Sequence, residues 1–326
     1  MRVLLTGAAG FIGTAVTGLM TGAGVDLVPY DLSSDVQDDI TDLDRVTEAM
    51  TGCQAVVHLA AKVGLGVDLR DMDDYVRTND LGTAIVLRAA AETGVGRVVY
   101  ASSMVVYGEG GYDCPNHGTV RPAPRRAEDL QQGRFEPPCP LCSSPLTPRL
   151  IDEDAPSDPR NVYAATKVHG EHLATIWARE TGASVAALRF HNVYGPGMPR
   201  NTPYAGVAAL FRSSLAAGQA PQVFEDGAQR RDFVHVTDVA AAVERATTAD
   251  LPPATCTPLN IGSGQVTTVG DVAWLLADLL HGPHPQTTGQ FRLGDVRHIT
   301  ADSTRARNLL GWTPELSLAE GLALGL

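Results

Sequence analysis

The stretch YAATK sets a tyrosine, Tyr163, four positions before a lysine, Lys167, a spacing that brings both side chains to one side of a helix. A cationic amine beside a phenol stabilises the phenolate and lowers its pKa, and a cationic cofactor ring bound nearby lowers it further. Tyr163 could then draw a proton from a substrate hydroxyl as a general base. Tyrosine and lysine at this spacing are also common as plain surface neighbours, so the reading depends on what else the chain supplies.

A second group of chemically able residues lies in Cys114-Pro-Asn-His117 and Cys139-Pro-Leu-Cys142, with residues 118–138 between them. Three thiolates and one imidazole fill a tetrahedral zinc, leaving no position for water or substrate, so such a site would be structural. A disulfide, an iron site, or free thiols beside an uninvolved His117 are the alternatives. The Pro-rich piece 110–159 that holds these residues has few apolar side chains to form a core, and a metal would supply folding energy. Cys53 and Cys256 read as small buried apolar residues.

The third group is glycine. In LLTGAAGFIG, Gly7 allows a tight turn after an apolar run, Gly10 lets backbone approach a pyrophosphate, and Gly13 lets the following helix pack closely, its N-terminus facing the anion. Asp31 closes the next apolar run, where a carboxylate accepts both ribose hydroxyls of NAD and repels the 2′-phosphate of NADP. An aspartate at that place is also a frequent helix cap.

These residues need a scaffold, and the pattern supplies one. Apolar, β-branched runs at 2–6, 25–30, 55–60, 97–102 and 184–190 alternate with amphipathic stretches at 11–20, 43–50, 75–91 and 163–180, the rhythm of βαβ units in a doubly wound parallel sheet of Rossmann type. The rhythm breaks at 110–159, which reads as an insertion. After Phe190 it loosens into shorter helices such as 205–217 and 269–280. The expected division is therefore a cofactor-binding domain over 1–189 and a smaller substrate domain over 190–326, with 232–262 returning to the first sheet.

Composition narrows the partners. Of the 326 residues 44% are hydrophobic and 19% charged, and no apolar run is long enough for a bilayer span. The formal net charge is −12 and no basic stripe appears, so nucleic acid is an unexpected partner and the membrane is not expected to be one. The start MRVLLTGAAGFIG reads as a first strand, not a signal peptide. Five cysteines in such a chain suggest the reducing cytoplasm.

The GxxGxxG spacing, HLAA at 58–61 and YAATK together resemble the short-chain dehydrogenase/reductase superfamily, and specifically its extended branch of NAD-dependent nucleotide-sugar epimerases and dehydratases. That resemblance covers essentially the whole chain. It implies that Phe11 and Ile12 accompany the glycines in holding NAD, that Asp39 and Ile40 in DDITD touch the adenine, and that Leu59, Ala60 and Ala61 lie beneath the cofactor. Asn79 would anchor a helix beside it, and Tyr163 and Lys167 would contact it. Ser103 in YASSMVVYG takes the place of the family's catalytic serine or threonine, positioning the reacting oxygen. Asn192 in RFHNVYGPG, Arg231 in QRRDFVHVTD, and Arg292 and Asp295 in RLGDVRH match positions that bind the substrate diphosphate and ribose. Tyr107 and His235 read as structural.

Met104 and Val105 stand where the family's dehydratases carry an acidic residue, and neither can transfer a proton. Reversible oxidation and reduction at one carbon, a 4-epimerisation, is therefore expected. An NAD(P)H-dependent ketosugar reductase is the alternative, and a non-catalytic NAD-sensing or zinc-binding module the remote one. The Cys-containing insertion, with NTPYAGVAALF and FEDGAQRRDF, is similar to the group acting on dTDP-L-rhamnose. The resemblance also implies a homodimer paired through helices like 75–91 and 163–180.

Overall fold

A computed structural model describes residues 1–64, 69–199 and 206–325. Six parallel strands form its main sheet: β1 (Arg2–Thr6), β2 (Asp26–Tyr30), β3 (Ala55–His58), β4 (Arg97–Ser103), β5 (Ser184–Phe190) and β6 (Thr255–Ile261). Their spatial order is β6-β5-β4-β3-β1-β2, every neighbouring pair parallel. Order reverses between β1 and β3, so a crevice opens there beyond the carboxyl ends of the strands.

Both faces are covered, as near-continuous apolar strands require. On one face α1 (Phe11–Gly22) and α6 (Val236–Thr248) pack on the sheet with Trp312; on the other lie α2 (Leu43–Met50), α3 (Gly82–Glu92) and α4 (Val162–Thr181). A third cluster joins α5 (Val207–Ala216) and α7 (Val269–Leu279) around Phe211, Phe233 and Leu276, in a smaller lobe.

The five strands expected from the sequence are present, with ends shifted by a residue or two. β6 carries Pro258 in its middle, which argues against a strand in sequence. Here it forms one edge of the sheet, where a missing N–H breaks no ladder, and Pro29 sits likewise in β2 at the other edge. The helix expected over 75–91 is interrupted by a wider π-helical turn, Val76–Leu81, before α3 begins. Of the helix expected over 205–217, α5 covers all but the ends; Ala205 and the rest of the NTPYA stretch lie outside the described residues.

The insertion is more ordered than its loop-like composition suggests. Gly111–Cys114 pairs antiparallel with Gly118–Val120 and with Thr147–Arg149, and a short helix spans Ala127–Gln131. Its apolar cluster is small, formed by Tyr112, Cys114, Cys139 and Leu146. Among the described residues no helix is long and apolar enough to cross a membrane.

Candidate active site and metal centre

The cofactor crevice begins at Gly7, whose φ of +73° permits the turn out of β1. A Cβ on Gly7 would lie 2.7 Å from the Ala60 nitrogen, and one on Gly13 would lie 2.0 Å from the Gly7 carbonyl oxygen, so neither position holds a larger residue. Gly10 is the N-cap of α1 and offers no side-chain acceptor, which leaves the first-turn amides of Phe11 and Ile12 for an anion. Asp31 accepts hydrogen bonds from Ala9 N at 2.9 Å and from Ser33 N at 2.9 Å. Burial works to raise its pKa, but these bonds prevail and hold the carboxyl below its usual range. Asp39 closes a turn through Thr41 N at 2.9 Å, and Ile40 is buried against α3. Leu59 donates to the Thr6 carbonyl and Ala60 to the Thr6 hydroxyl, holding Leu59, Ala60 and Ala61 across from the glycine turn.

Asn79 sits in the π-helical turn, 3% exposed. Its Oδ1 accepts from Lys62 N at 2.8 Å, and its Nδ2 donates to Lys62 O and to Thr166 Oγ1, both at 3.0 Å. One amide thus ties the segment after β3 to α4. Asn161 caps α4 by accepting from Ala164 N, and Gly182 stops it in the left-handed conformation. Between those ends, residues 164, 167, 171, 174 and 178 face inward at helical spacing, which carries Lys167 beneath the end of β4.

There Lys167 Nζ donates to the Ala101 carbonyl at 2.8 Å and lies 5.7 Å from the centre of the Tyr163 ring. Tyr163 and Ser103 stand on the wall of one cavity. Burial pushes the Tyr163 phenol up to about 12, with the Ser103 hydroxyl acting the other way, and burial pulls the Lys167 ammonium down to about 8 against the attraction of Asp80 and Glu171. The lowered phenol expected from the sequence counted on the charges of Lys167 and a bound cofactor ring; burial acts against both.

Ser103, Tyr163 and Asn192 line one cavity of about 260 Å³, with Ile12 from the cofactor crevice, Phe190, His191, Met198 and Phe233. Pairing of Ser103 with Phe190 across β4 and β5 delivers the 190–194 segment to this place. The Oδ1 of Asn192 is buried with no partner, a polar atom aimed at something the chain does not provide.

Arg231, Arg292 and Asp295 do not line this cavity. They gather elsewhere in the smaller lobe, where the charges of Arg292, Arg231 and Arg125 oppose the burial that raises the Asp295 pKa. Arg231 donates to the carbonyls of Arg230, Arg297 and Val296 at 2.9, 3.0 and 2.6 Å. Arg292 is exposed, its guanidinium 5.2 Å from the Phe224 ring centre.

Sequence reasoning missed a buried polar network behind Lys167. Glu171 takes a bidentate ion pair from Arg189 at 2.9 and 2.7 Å and a hydrogen bond from Ser102. Arg189 also donates to the Tyr107 hydroxyl, which donates to Asn260 Oδ1 at 2.7 Å. Tyr107 is thus bonded as well as packed. The available signal was Arg189 itself, a charge within the apolar run SVAALRF. His235 caps α6 through Thr237 and stacks edge-on against Tyr194.

In the insertion, the ligand atoms of Cys114, His117, Cys139 and Cys142 all lie within 4.8 Å of one another. Cys114 Sγ is 3.5 Å from His117 Nδ1 and 3.7 Å from Cys142 Sγ, and Cys139 Sγ is 3.7 Å from the same His117 nitrogen. Around a tetrahedral zinc with Zn–S of about 2.3 Å and Zn–N of about 2.05 Å, thiolates sit about 3.75 Å apart and thiolate and imidazole about 3.55 Å. All five cysteines are free; Cys53 is buried and Cys256 half-buried.

Comparison with known proteins adds to this geometry. The sequence profile of the NAD dependent epimerase/dehydratase family matches residues 3–129 and 142–262; residues 130–141, inside the insertion, fall in the gap. The dTDP-L-rhamnose 4-epimerase of Burkholderia thailandensis is 32% identical over 98% of this chain and 93% of its own. The UDP-glucose 4-epimerase of Mycolicibacterium smegmatis is also 32% identical, over 99% of this chain and 96% of its own. Among solved structures, MoeE5 in complex with UDP-glucose and NAD superposes with a TM-score of 0.79 at 30% identity, covering 99% of this chain and 97% of that one. The UDP-glucose 4-epimerase of Thermotoga maritima with UDP-glucose gives 0.80 at 28% identity, covering 99% and 97%.

Proposed function

Since the chain belongs to the NAD-dependent epimerase/dehydratase family, and as such is an NAD-dependent nucleotide-sugar enzyme, we propose that it is a 4-epimerase acting on dTDP-L-rhamnose or another dTDP- or UDP-hexose. The observation that carries the reading is the shared cavity of Ser103, Tyr163 and Asn192, which meets the cofactor crevice at Ile12.

The glycine turn fits a dinucleotide: a Cβ at Gly7 or Gly13 would strike the backbone that closes the turn, and the first-turn amides after Gly10 are left free of a side-chain cap for a pyrophosphate. Gly7, Gly10, Phe11, Ile12 and Gly13 would hold the phosphates, Asp31 the ribose, Asp39 and Ile40 the adenine side, and Leu59, Ala60, Ala61 and Asn79 the opposite wall. NAD supplies a hydride acceptor and donor when bound. Ser103 hydrogen-bonds the 4-oxygen of the sugar and turns it toward Tyr163. Tyr163 would take the 4-hydroxyl proton when carbon 4 is oxidised and give it back to the oxygen when the 4-ketosugar, turned over in the cavity, is reduced by hydride on its other face. Lys167, held by the Ala101 carbonyl, keeps a positive charge beneath the phenol so that its oxygen can carry negative charge in the transition state. Asn192 would donate to the diphosphate through Nδ2 and accept from a substrate hydroxyl through its unpartnered Oδ1, and Arg231, Arg292 and Asp295 would supply the charges for diphosphate and ribose. Met104 and Val105 give no second proton-transfer group, which favours epimerisation over dehydration. A ketosugar reductase remains the second reading, since one Ser/Tyr/Lys set serves both reactions.

We also propose a structural zinc at Cys114, His117, Cys139 and Cys142, supported by sulfur–sulfur and sulfur–nitrogen separations that match a tetrahedral ion. A cytoplasmic homodimer completes the reading.

The deciding experiment incubates the purified protein with dTDP-, UDP- and GDP-hexoses without added cofactor and identifies products by NMR. Interconversion of 4-epimers is expected. Turnover only with stoichiometric NAD(P)H would replace the epimerase by the reductase, and no turnover of any sugar would overturn both.

A further inference from the structure

The insertion grips the smaller lobe through ions. Arg125, between His117 and Cys139, donates to Glu225 Oε2 at 3.0 Å and to the Asp295 carbonyl at 2.7 Å, and its ion pair with Glu225 is almost wholly buried. Glu136, three residues before Cys139, takes Arg297 Nη2 at 2.6 Å and His298 Nε2 at 2.9 Å. Glu109, just before the insertion, accepts from Arg297 N at 2.7 Å and His298 N at 2.9 Å. Arg297 is 1% exposed and pairs further with Glu225 and Asp226.

The backbone fixed by these contacts is the one that holds Arg231. Two of that guanidinium's three acceptors are the carbonyls of Val296 and Arg297. A continuous path therefore runs from Cys139 and Cys142 through Glu136 to residues 296–298, and from there to Arg231 and Asp295.

We infer that the Cys/His centre acts as a clasp for the substrate diphosphate: metal at Cys114, His117, Cys139 and Cys142 holds Glu136 and Arg125 against the smaller lobe and thereby sets the position of Arg231. This rests on the proposed zinc and on the proposed diphosphate role of Arg231. The insertion's own apolar cluster is small, four buried residues with Val120 packed against them, so a metal at the Cys/His centre would add much to the folding of the segment that carries Glu136. Glu136 and Arg125 are positioning residues; neither is placed in contact with the reacting carbon.

The test uses the full chain and reads zinc content, retained NAD, and binding of UDP and dTDP by calorimetry, which needs no turnover. Cys139→Ser/Cys142→Ser is expected to lose zinc, keep NAD and weaken diphosphate binding about tenfold. Glu136→Gln is expected to keep zinc and NAD while weakening the same binding several-fold, with KM raised and kcat little changed. Unaltered diphosphate affinity in Glu136→Gln overturns the inference even if the Cys variant fails to fold. Absence of zinc from the wild-type protein overturns the metal's part in the clasp. Failure of wild-type protein to bind either diphosphate overturns the nucleotide-sugar reading instead.

Discussion

At the scale of single residues, burial acts on both members of the Tyr163–Lys167 pair. Burial pushes the Tyr163 phenol up to about 12, so its work as a base calls on the Lys167 ammonium and the cationic ring of bound NAD to bring it down, while burial pulls Lys167 itself down to about 8. If the lysine's charge supports proton transfer, kcat/KM falls as pH rises through about 8, because the ammonium is lost. Lys167→Arg keeps a cation throughout, so this alkaline limb should move above pH 10 although the rate is lower; an unmoved limb would assign it to another group. Tyr163→Phe removes the proton carrier and should lower kcat by about 10²–10⁴-fold with NAD retained, measured by steady-state kinetics and cofactor release.

At the scale of elements, the decisive feature is how α4 is fastened to the strands before it. Asn79 spans the segment after β3 and Thr166 on α4, and the wider π turn places its side chain between them. Such a turn is a common companion of functional sites. Asn79→Ala leaves Lys62 N without its acceptor, so a stability loss of about 1–3 kcal/mol is expected in urea unfolding, with weakened NAD retention. The sequence showed Asn79 only through its motif. Nothing in the local pattern announced the π turn, since one added residue in a helical turn leaves the apolar spacing almost unchanged.

At the scale of the whole molecule, buried titratable groups tie stability to pH. His58 is 2% exposed between Thr6 and Thr83, and burial lowers its pKa from 6.5 to about 3. Between those values the unfolded chain binds a proton that the folded chain does not, so stability rises with pH there and is lost as pH falls from about 6.5 toward 3. Glu136, which burial would raise, is brought down from 4.5 to about 2 by His298 and Arg297 and loses its contribution over that lower window. The thermal midpoint should therefore drop from pH 7 to pH 5, and His58→Gln should flatten that part of the profile.

The sequence by itself determined the βαβ order, the glycine turn and the Tyr163–Lys167 pair, because each depends on residues only a few positions apart. It also put a Cys/His pair and a Cys pair in one insertion. Only the tertiary structure decided that β6, inside the stretch expected to return to the sheet, takes its edge and so tolerates Pro258, that Arg189 on β5 finds Glu171 on α4, and that Arg125 and Glu136 reach Glu225 and Arg297. These contacts join residues from 18 to 161 positions apart, and no local periodicity records them. Desolvation likewise belongs to the fold: the spacing of Tyr163 and Lys167 puts phenol and amine on one side of α4, but only the packed chain shows burial pushing the phenol up.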